Sequence, residues 1–417
     1  NLSSSGGLIF NLNQVNPQAA PPGSSIQNAI DAIGAVTGPA TINIGTGTYT
    51  LTKTITINKS LNLNGSTGAG ATTLSGNNAV GVLNISSVGT NVTLTNLTIQ
   101  NGLAAFGGGI FNNGSNLVIL NSTFSGNRAV GANGVDGSNL GAGGGGGGGA
   151  GLGGAIFSTG GTVTIDNSIF SGNQAIGGNG GAGFPNNGAF DGIGGAGGGT
   201  AGGAGGDPGL SGGNGGFGSG GGGGGGSALV GGAGGTGGFG GGGGGGGGRT
   251  LGFSGQPGGT GGFGGGAGAQ GVASAAAGGG GGAGLGGAIF ANSGSLTLTN
   301  TTIRNNSAVG GQGGISGFLS APGSNGQGMG GALFVNTGTS LNLASNIISG
   351  NSAANFGGGI FNSGTLTVNS STLSGNNSTN SYGGGIYNVG TATVSNSTFS
   401  NNLAPTFNLG GGGIAND

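Results

Sequence analysis

The chain has no cysteine, histidine or tryptophan, no glutamate anywhere, and only five basic and six acidic residues in 417. Each absence removes a class of chemistry. Without Cys or His there is no ordinary zinc, haem or iron–sulfur site. Without Cys there is no disulfide, and thiols say nothing about the redox compartment. Five Lys and Arg cannot track a phosphate backbone, which argues against nucleic acid as a partner. No apolar run approaches the roughly 20 residues of a membrane helix. The chain starts at Asn1 without Met, which fits a processed secreted protein and an arbitrary boundary equally.

What fills the chain instead is glycine, 125 residues of it, with Asn, Ser and Thr as the polar share. An average protein holds roughly 7% Gly. Gly here keeps no three-residue period and Pro numbers only 9, so collagen is excluded. Low charge with many branched apolar residues is not the composition of a disordered chain either. A net charge of −1 leaves little repulsion between copies and favours association.

The glycines come in a recurring frame. FGGGIFNSG begins at Phe356, and variants begin at Phe106, Leu152, Leu285, Met329, Tyr382 and Leu409. After the glycines stands an apolar residue: Ile110, Ile156, Ile289, Leu333, Ile360, Ile386 and Ile414. The next position forms an aromatic column of Phe111, Phe157, Phe290, Phe334, Phe361 and Tyr387, then Ala415. A second segment alternates with period two, the mark of a strand with one buried face. Its inward pairs include Leu117/Ile119, Val163/Ile165 and Leu366/Val368. A third segment reads FSGN or a variant and ends in Asn127, Asn173, Asn306, Asn351, Asn376 and Asn402.

Three short strands per coil, with coils of 26 to 28 residues near the C-terminus, predict an all-β solenoid. In a parallel β-helix, consecutive coils stack at about 4.8 Å, so equivalent residues lie on one another. The Asn column is then a ladder of buried amides satisfying one another at a tight corner. The aromatic column is a ladder of stacked rings. Upstream, Ile26, Ile30 and Ile33 at helical spacing predict an amphipathic cap helix over 25–37. Lys53 and Lys59, in the first coils, are expected in solvent.

These residues resemble the right-handed parallel β-helices of the pectate-lyase-like kind. The GGA[ILV] motifs at Gly153, Gly286 and Gly330, with FxxN at Phe124–Asn127, Phe170–Asn173 and Phe399–Asn402, resemble the repeats of polymorphic outer-membrane proteins. That resemblance covers residues 25–417 outside the glycine-rich inserts. It implies the fold, and it is compatible with lyases, adhesins and structural fibres alike.

The spacing breaks at about 129–151, 175–284 and 308–328, always after the FxxN strand and before the next glycine motif. Emerging at one corner of successive coils, the inserts are expected to form one ordered glycine lobe. Its runs, such as 220–226 and 240–248, would pack as extended or polyproline-II-like chains joined through backbone amides. Phe184, Phe190, Phe217, Phe239, Phe253 and Phe263 would anchor it. The division is then residues 1–24 as an N-terminal segment available to a neighbouring subunit, the cap helix, and a β-helix over 38–417.

Candidate chemistry is sparse. Of Asp31, Asp136, Asp166, Asp191, Asp207 and Asp417, only Asp166 falls on a core coil, and its column offers no second acid. A calcium-dependent lyase or a two-carboxylate hydrolase is hard to build from these, and the reading is that the chain is not an enzyme. GGAGGDPGL (202–210) faintly matches a calcium nonapeptide, but as one copy it reads as a turn. An outward Thr column (Thr164, Thr297, Thr367, Thr393) offers an ice-binding plane, interrupted by Val118 and Asn342. No catalytic, metal or cofactor residue is assigned.

The last motif, GGGIAND, opens a fresh coil, and GGLIFN at the start echoes the repeat. Together they predict head-to-tail growth into an extracellular, cell-surface fibre or sheath, with the lobe mediating subunit packing. The partner is then the chain itself, with a surface polysaccharide as the other candidate. A monomeric surface adhesin or passenger module is the alternative, ahead of a polysaccharide-degrading enzyme or an ice-binding protein.

Overall fold

The computed structural model describes residues 9–12, 22–33, 40–67, 71–138, 141–184, 191–249, 255–273, 275–316, 320–405 and 411–417, the side chains of 9–12 and 22–25 apart. It is a parallel β-helix. Every pairing between its named strands is parallel, and successive strands of each sheet come from successive coils. Sheet 1 has ten strands, from Ile9–Leu12 and Ala40–Ile44 to Thr391–Ser395. Sheet 2 has nine, from Gly47–Thr50 to Thr398–Ser400, and carries the FSGN segments. Sheet 3 has nine, from Ile55–Ile57 to Ile414–Asn416, and carries the residues after the glycine pair.

Three strands per coil is an undercount. A short fourth strand follows the Asn corner, as at Arg128–Val130, in a six-stranded sheet. A fifth precedes the glycine pair, at Gly151–Leu152, Gly284–Leu285 and Gly328–Met329. Both are two or three residues long and rich in small side chains, too short for an alternating pattern to appear.

Register makes the columns physical. Ile110, Ile156, Ile289, Leu333, Ile360 and Ile386 pair in sequence along sheet 3. Their side chains enter one continuous core with the inward residues of sheets 1 and 2. Phe124 stacks on Phe170 there at 4.6 Å, the two ring planes nearly parallel.

Each corner has its own polar solution. Between sheets 1 and 2 the chain turns through a single left-handed residue, such as Asn121 (φ 50) or Asn167 (φ 46). Asn tolerates that region because its short side chain bonds locally. The next corner holds the FxxN asparagines, and all six lie in one file. Asn127 Nδ2 donates to Asn173 Oδ1 at 3.0 Å, Asn173 to Asn306 and Asn306 to Asn351 at 2.9 Å. Asn351 donates to Asn376 and Asn376 to Asn402, both at 2.9 Å. From Asn173 onward each Oδ1 also accepts the backbone N–H of the preceding Asn, as from Asn173 to Asn306 at 2.9 Å, and Asn127 Oδ1 accepts Gly102 N–H at 3.0 Å.

Two further polar files were not foreseen. Ser122, Ser168, Thr301, Asn346 and Ser371 are buried and bond in succession from backbone N–H to side-chain oxygen. Asn362, Asn388 and Asn416 form a third, at 2.6 Å per step. A column mixing Ser, Thr and Asn shows no single recurring letter, which hid the first of these.

The helix Pro22–Ala32 covers the first coils, with Ile26, Ile30 and Ile33 buried. It begins earlier than expected, and 34–37 lie outside the described residues. The Gln27 side chain imitates a strand: its Oε1 accepts Thr56 N–H at 2.8 Å and its Nε2 donates to Thr56 O at 3.2 Å. Thr56 lies on the edge strand of sheet 3, whose free groups would otherwise stand open. Lys59 is not a free solvent charge. Its Nζ donates to Ile30 O and Ile33 O at 3.0 and 2.8 Å, closing the C-terminal end of the helix. Ile9–Leu12, read from the sequence as part of a segment for a neighbouring subunit, pairs with Thr41–Ile44 of its own chain. The rest of 1–21 lies outside the described residues.

Asn306→Ala removes an acceptor from two donors of Asn173 and strands several buried groups at once. At about 1–3 kcal/mol per stranded group, unfolding in denaturant should show a loss of about 3 kcal/mol or more. Asn402→Ala, at a half-exposed step of the same file, should cost clearly less.

Candidate functional site

The aromatic column of sheet 3 alternates with the inward Ile and Leu, so its rings leave the solenoid on the outside. There they stack: Phe111–Phe157 at 5.5 Å, Phe157–Phe290 at 5.2 Å, Phe290–Phe334 at 4.9 Å and Phe334–Phe361 at 4.8 Å. Tyr387 continues the file at 5.5 Å, tilted by 35°. An outward file of rings would ordinarily be wet. These are buried from Phe157 to Tyr387, in a second core separate from the first. Leu152, Leu285 and Met329, from just before the glycine pairs, form its other wall. Gly153 makes the bend between the two rows at φ +64, where a Cβ would meet Ile156 O at 2.1 Å.

The roof of this second core is the glycine lobe. Of the six proposed anchors, Phe217, Phe239 and Phe263 come together. They stack on each other at 5.2 and 5.4 Å and meet the ladder edge-on, Phe239 against Phe290 at 6.0 Å and Phe263 against Phe334 at 5.9 Å. Phe184 sits away from that group, its backbone carbonyl accepting Ala276 N–H. Phe190 and Phe253 lie outside the described residues.

Within the lobe, glycine segments run side by side with a three-residue bonding period, that of a polyproline-II-like chain. Residues 144–150 show it. Gly144, Gly147 and Ala150 donate to Gly224, Gly221 and Gly218; Gly145 and Gly148 to Ala277 and Gly280; Gly146 and Gly149 to Val135 and Ala132. One segment therefore bonds three neighbours in rotation, and its seven N–H groups are all used. No side chain fits between them. A Cβ on Gly147 would lie 2.0 Å from Gly242 O.

Segments alternate in direction, so the lobe has two ends. The near end holds the turns at Phe217, Phe239 and Phe263. The far end holds the turns at 207–210 and 227–230 and the bridge of Val272 to Ala275, tied by bridges of Ser227 and Ala273 to Arg249. Large apolar side chains reappear there in solvent: Leu210, Leu229 and Val230 in turns, with Val135, Ile193 and Ile315 close to the ends of their segments. Leu229 and Ile315 are 72% and 71% exposed. Asp136, Asp191 and Asp207 lie towards the same end, and Asp207 opens the turn closed by Leu210 N–H to its carbonyl at 2.8 Å.

The remaining acids are dispersed. Asp31 accepts from Gln27 at 2.8 Å and Asp166 from Asn300 at 3.2 Å. Among the described residues no group of three His, Cys, Asp or Glu could hold a metal ion. The outward file of sheet 1 runs Thr41, Asn62, Thr93, Val118, Thr164, Thr297, Asn342, Thr367 and Thr393, which extends the Thr column towards the N-terminus.

The ring file is uncovered at its N-terminal end and closes on the last coil at the other. At the first, Phe106 and Phe111 border a groove of about 660 Å³ between sheet 3 and the lobe. At the other, Tyr387 OH donates to Asp417 Oδ2 at 2.8 Å. Burial, then the hydrogen bond and charge of Asp417, push the Tyr387 hydroxyl up to about 12.

No protein-family model matches the sequence, and no curated protein matches it. Among solved structures it is similar to the pectin methylesterase from Aspergillus niger in deglycosylated form, with TM-score 0.34 and 11% identity over 99% of this chain and 87% of that one. The penultimately deglycosylated form gives 0.31 and 11%, over 100% and 87%. Geobacillus virus E2 ORF18 gives 0.32 and 11%, over 95% and 59%. The expectation that the chain is not an enzyme is withdrawn: two of these three neighbours are forms of one enzyme, and at 11% identity they assign no activity to this chain. Missing Glu and unpaired Asp argue against particular acid-pair chemistries. They do not reach every reaction that such a scaffold can host.

Two outcomes follow. Gly147→Ala should open the lobe, read as faster amide exchange across 144–150 with exchange in sheet 1 unchanged. Tyr387 holds its proton more tightly when folded, so its contribution is complete below the usual tyrosine value of 10.0 and is lost as pH rises through about 12. Phenolate absorbance compared with Tyr387→Phe should place its titration near 12, and Asp417→Asn should lower it while leaving it above 10.0.

Proposed function

We propose that the chain is an extracellular structural protein that self-assembles into a surface fibre or sheath, with the glycine lobe making the contact between subunits. The far end of the lobe carries this reading. Leu210, Leu229, Val230 and Ile315 stand in solvent on a support whose interior has almost no side chains to move. Apolar groups gathered on a rigid projection are the usual mark of a contact surface. A net charge of −1 removes the repulsion that would keep copies apart.

The contact proposed is lateral, through the lobe. Ile9–Leu12 already fills a place in sheet 1 of its own chain, so the proposed contact does not use it. Growth along the solenoid axis remains compatible with lateral contact, since neighbouring solenoids joined by their lobes keep their axes free.

Electron microscopy and sedimentation over a range of concentrations test this. Filaments, or association that rises with concentration, are expected of the unaltered chain. A combined Leu210→Ser, Leu229→Ser and Ile315→Ser variant should remain monomeric with unchanged circular dichroism. A concentration-independent monomer before any substitution would overturn assembly and favour an adhesin whose lobe meets a foreign surface.

A further inference from the structure

The groove at the open end of the ring file is a built site that the assembly reading does not use. Its floor is the outer face of sheet 3, where the residue paired with Phe111 is Asn84 and the one beyond is Thr56. Phe111 is therefore the last ring of the file. One of its faces lies on Phe157, and next along the file stands Asn84, with no ring at that step. Phe106 stacks on the same Phe157 at 5.4 Å, so two half-buried rings end side by side at the groove. The roof comes from lobe residues Thr200 and Ser219.

The Asn84 amide sets this groove apart. Its Oδ1 is buried and has no hydrogen-bond partner. Leaving such an acceptor unpaired costs about 1–3 kcal/mol. Among the described asparagines Asn377 Oδ1 shares this state, outside the groove, whereas the amides of the FxxN file are bonded to one another. The terminal torsion of Asn84 is soft, and a half-turn about it exchanges Oδ1 and Nδ2, bringing Oδ1 to the groove. The lining contains no titratable residue, so nothing in it compensates a charged ligand.

We infer that this groove binds a small, uncharged, planar aromatic compound carrying one N–H or O–H donor. The ring takes the step that the file lacks, stacked on Phe111 at the spacing of the rings behind it. The donor meets Asn84 Oδ1. A volume of about 660 Å³ lies within the range of small-molecule sites and admits one or two fused rings with water. A free compound fits better than a partner's side chain, because sheet and lobe enclose the groove on two sides.

Indole is the probe. The chain has no Trp, so indole emission excited beyond the absorption of its three tyrosines is read without protein background. Saturable binding of indole is expected, with 1-methylindole, which lacks the donor, about tenfold weaker. Cyclohexanol, similar in bulk to a single ring but not planar, should not compete. Asn84→Leu should weaken indole to the level of 1-methylindole and leave 1-methylindole nearly unchanged. Phe111→Leu should weaken both ligands equally. The comparison of the two indoles needs no variant, so misfolding of either substitution leaves the proposal testable. Equal binding of indole and 1-methylindole, displacement by cyclohexanol or cellobiose, or no saturable binding would each overturn it.

Discussion

Stacking of coils at a single strand spacing is the constraint from which the rest follows. Parallel pairing brings the same position of every coil into one file, with about 4.8 Å between steps. Apolar positions then become a continuous core, and polar positions at corners become files of the same residue with its own kind above and below. An Asn suits such a file because its amide both donates and accepts along the axis. A corner that cannot satisfy its amides would break the stack, and corners such as those at Asn121 and Asn127 are closed by a left-handed residue or a polar file.

The same constraint organises what lies outside the solenoid. Inserts leaving one corner of successive coils must emerge as neighbours. Glycine pays the largest entropy to become ordered, and here the compensation is collective. Chains without side chains approach closely enough for each segment to bond several others, and interior N–H groups such as those of 144–150 find acceptors. Removing side chains from the interior also removes rotamers, so the lobe behaves as a stiff support. Side chains return at its two ends. At the near end they seal the outer ring file. At the far end they meet solvent, and a surface is presented there at a fixed distance from the solenoid.

Much of this was legible in the residues. The side-chain period of two and the coil period print directly into the chain, so the inner core, the Asn file and the ring file could be read column by column. Some features were not. The Ser/Thr/Asn file carries no constant letter. Lys59 read as a surface charge because the carbonyls that it caps belong to a helix 26 and 29 residues earlier. Gln27 read as one polar face residue, and its role as a substitute strand depends on where the helix is laid down. The groove depends on lobe residues near 200 and 219 reaching a sheet residue at 84.

By itself, the sequence determined the class of fold, the contents of each file and the corner from which the lobe departs. Those properties are periodic, and periodicity survives in a one-dimensional record of which side chains face which way. Tertiary structure alone decided that the ring file faces outward, that the lobe lies down on it, and where the covering stops at Phe106 and Phe111. Those outcomes rest on hydrogen bonds between glycines, and glycines are identical to one another. Which segment bonds which is settled only by the space left when the whole chain is packed.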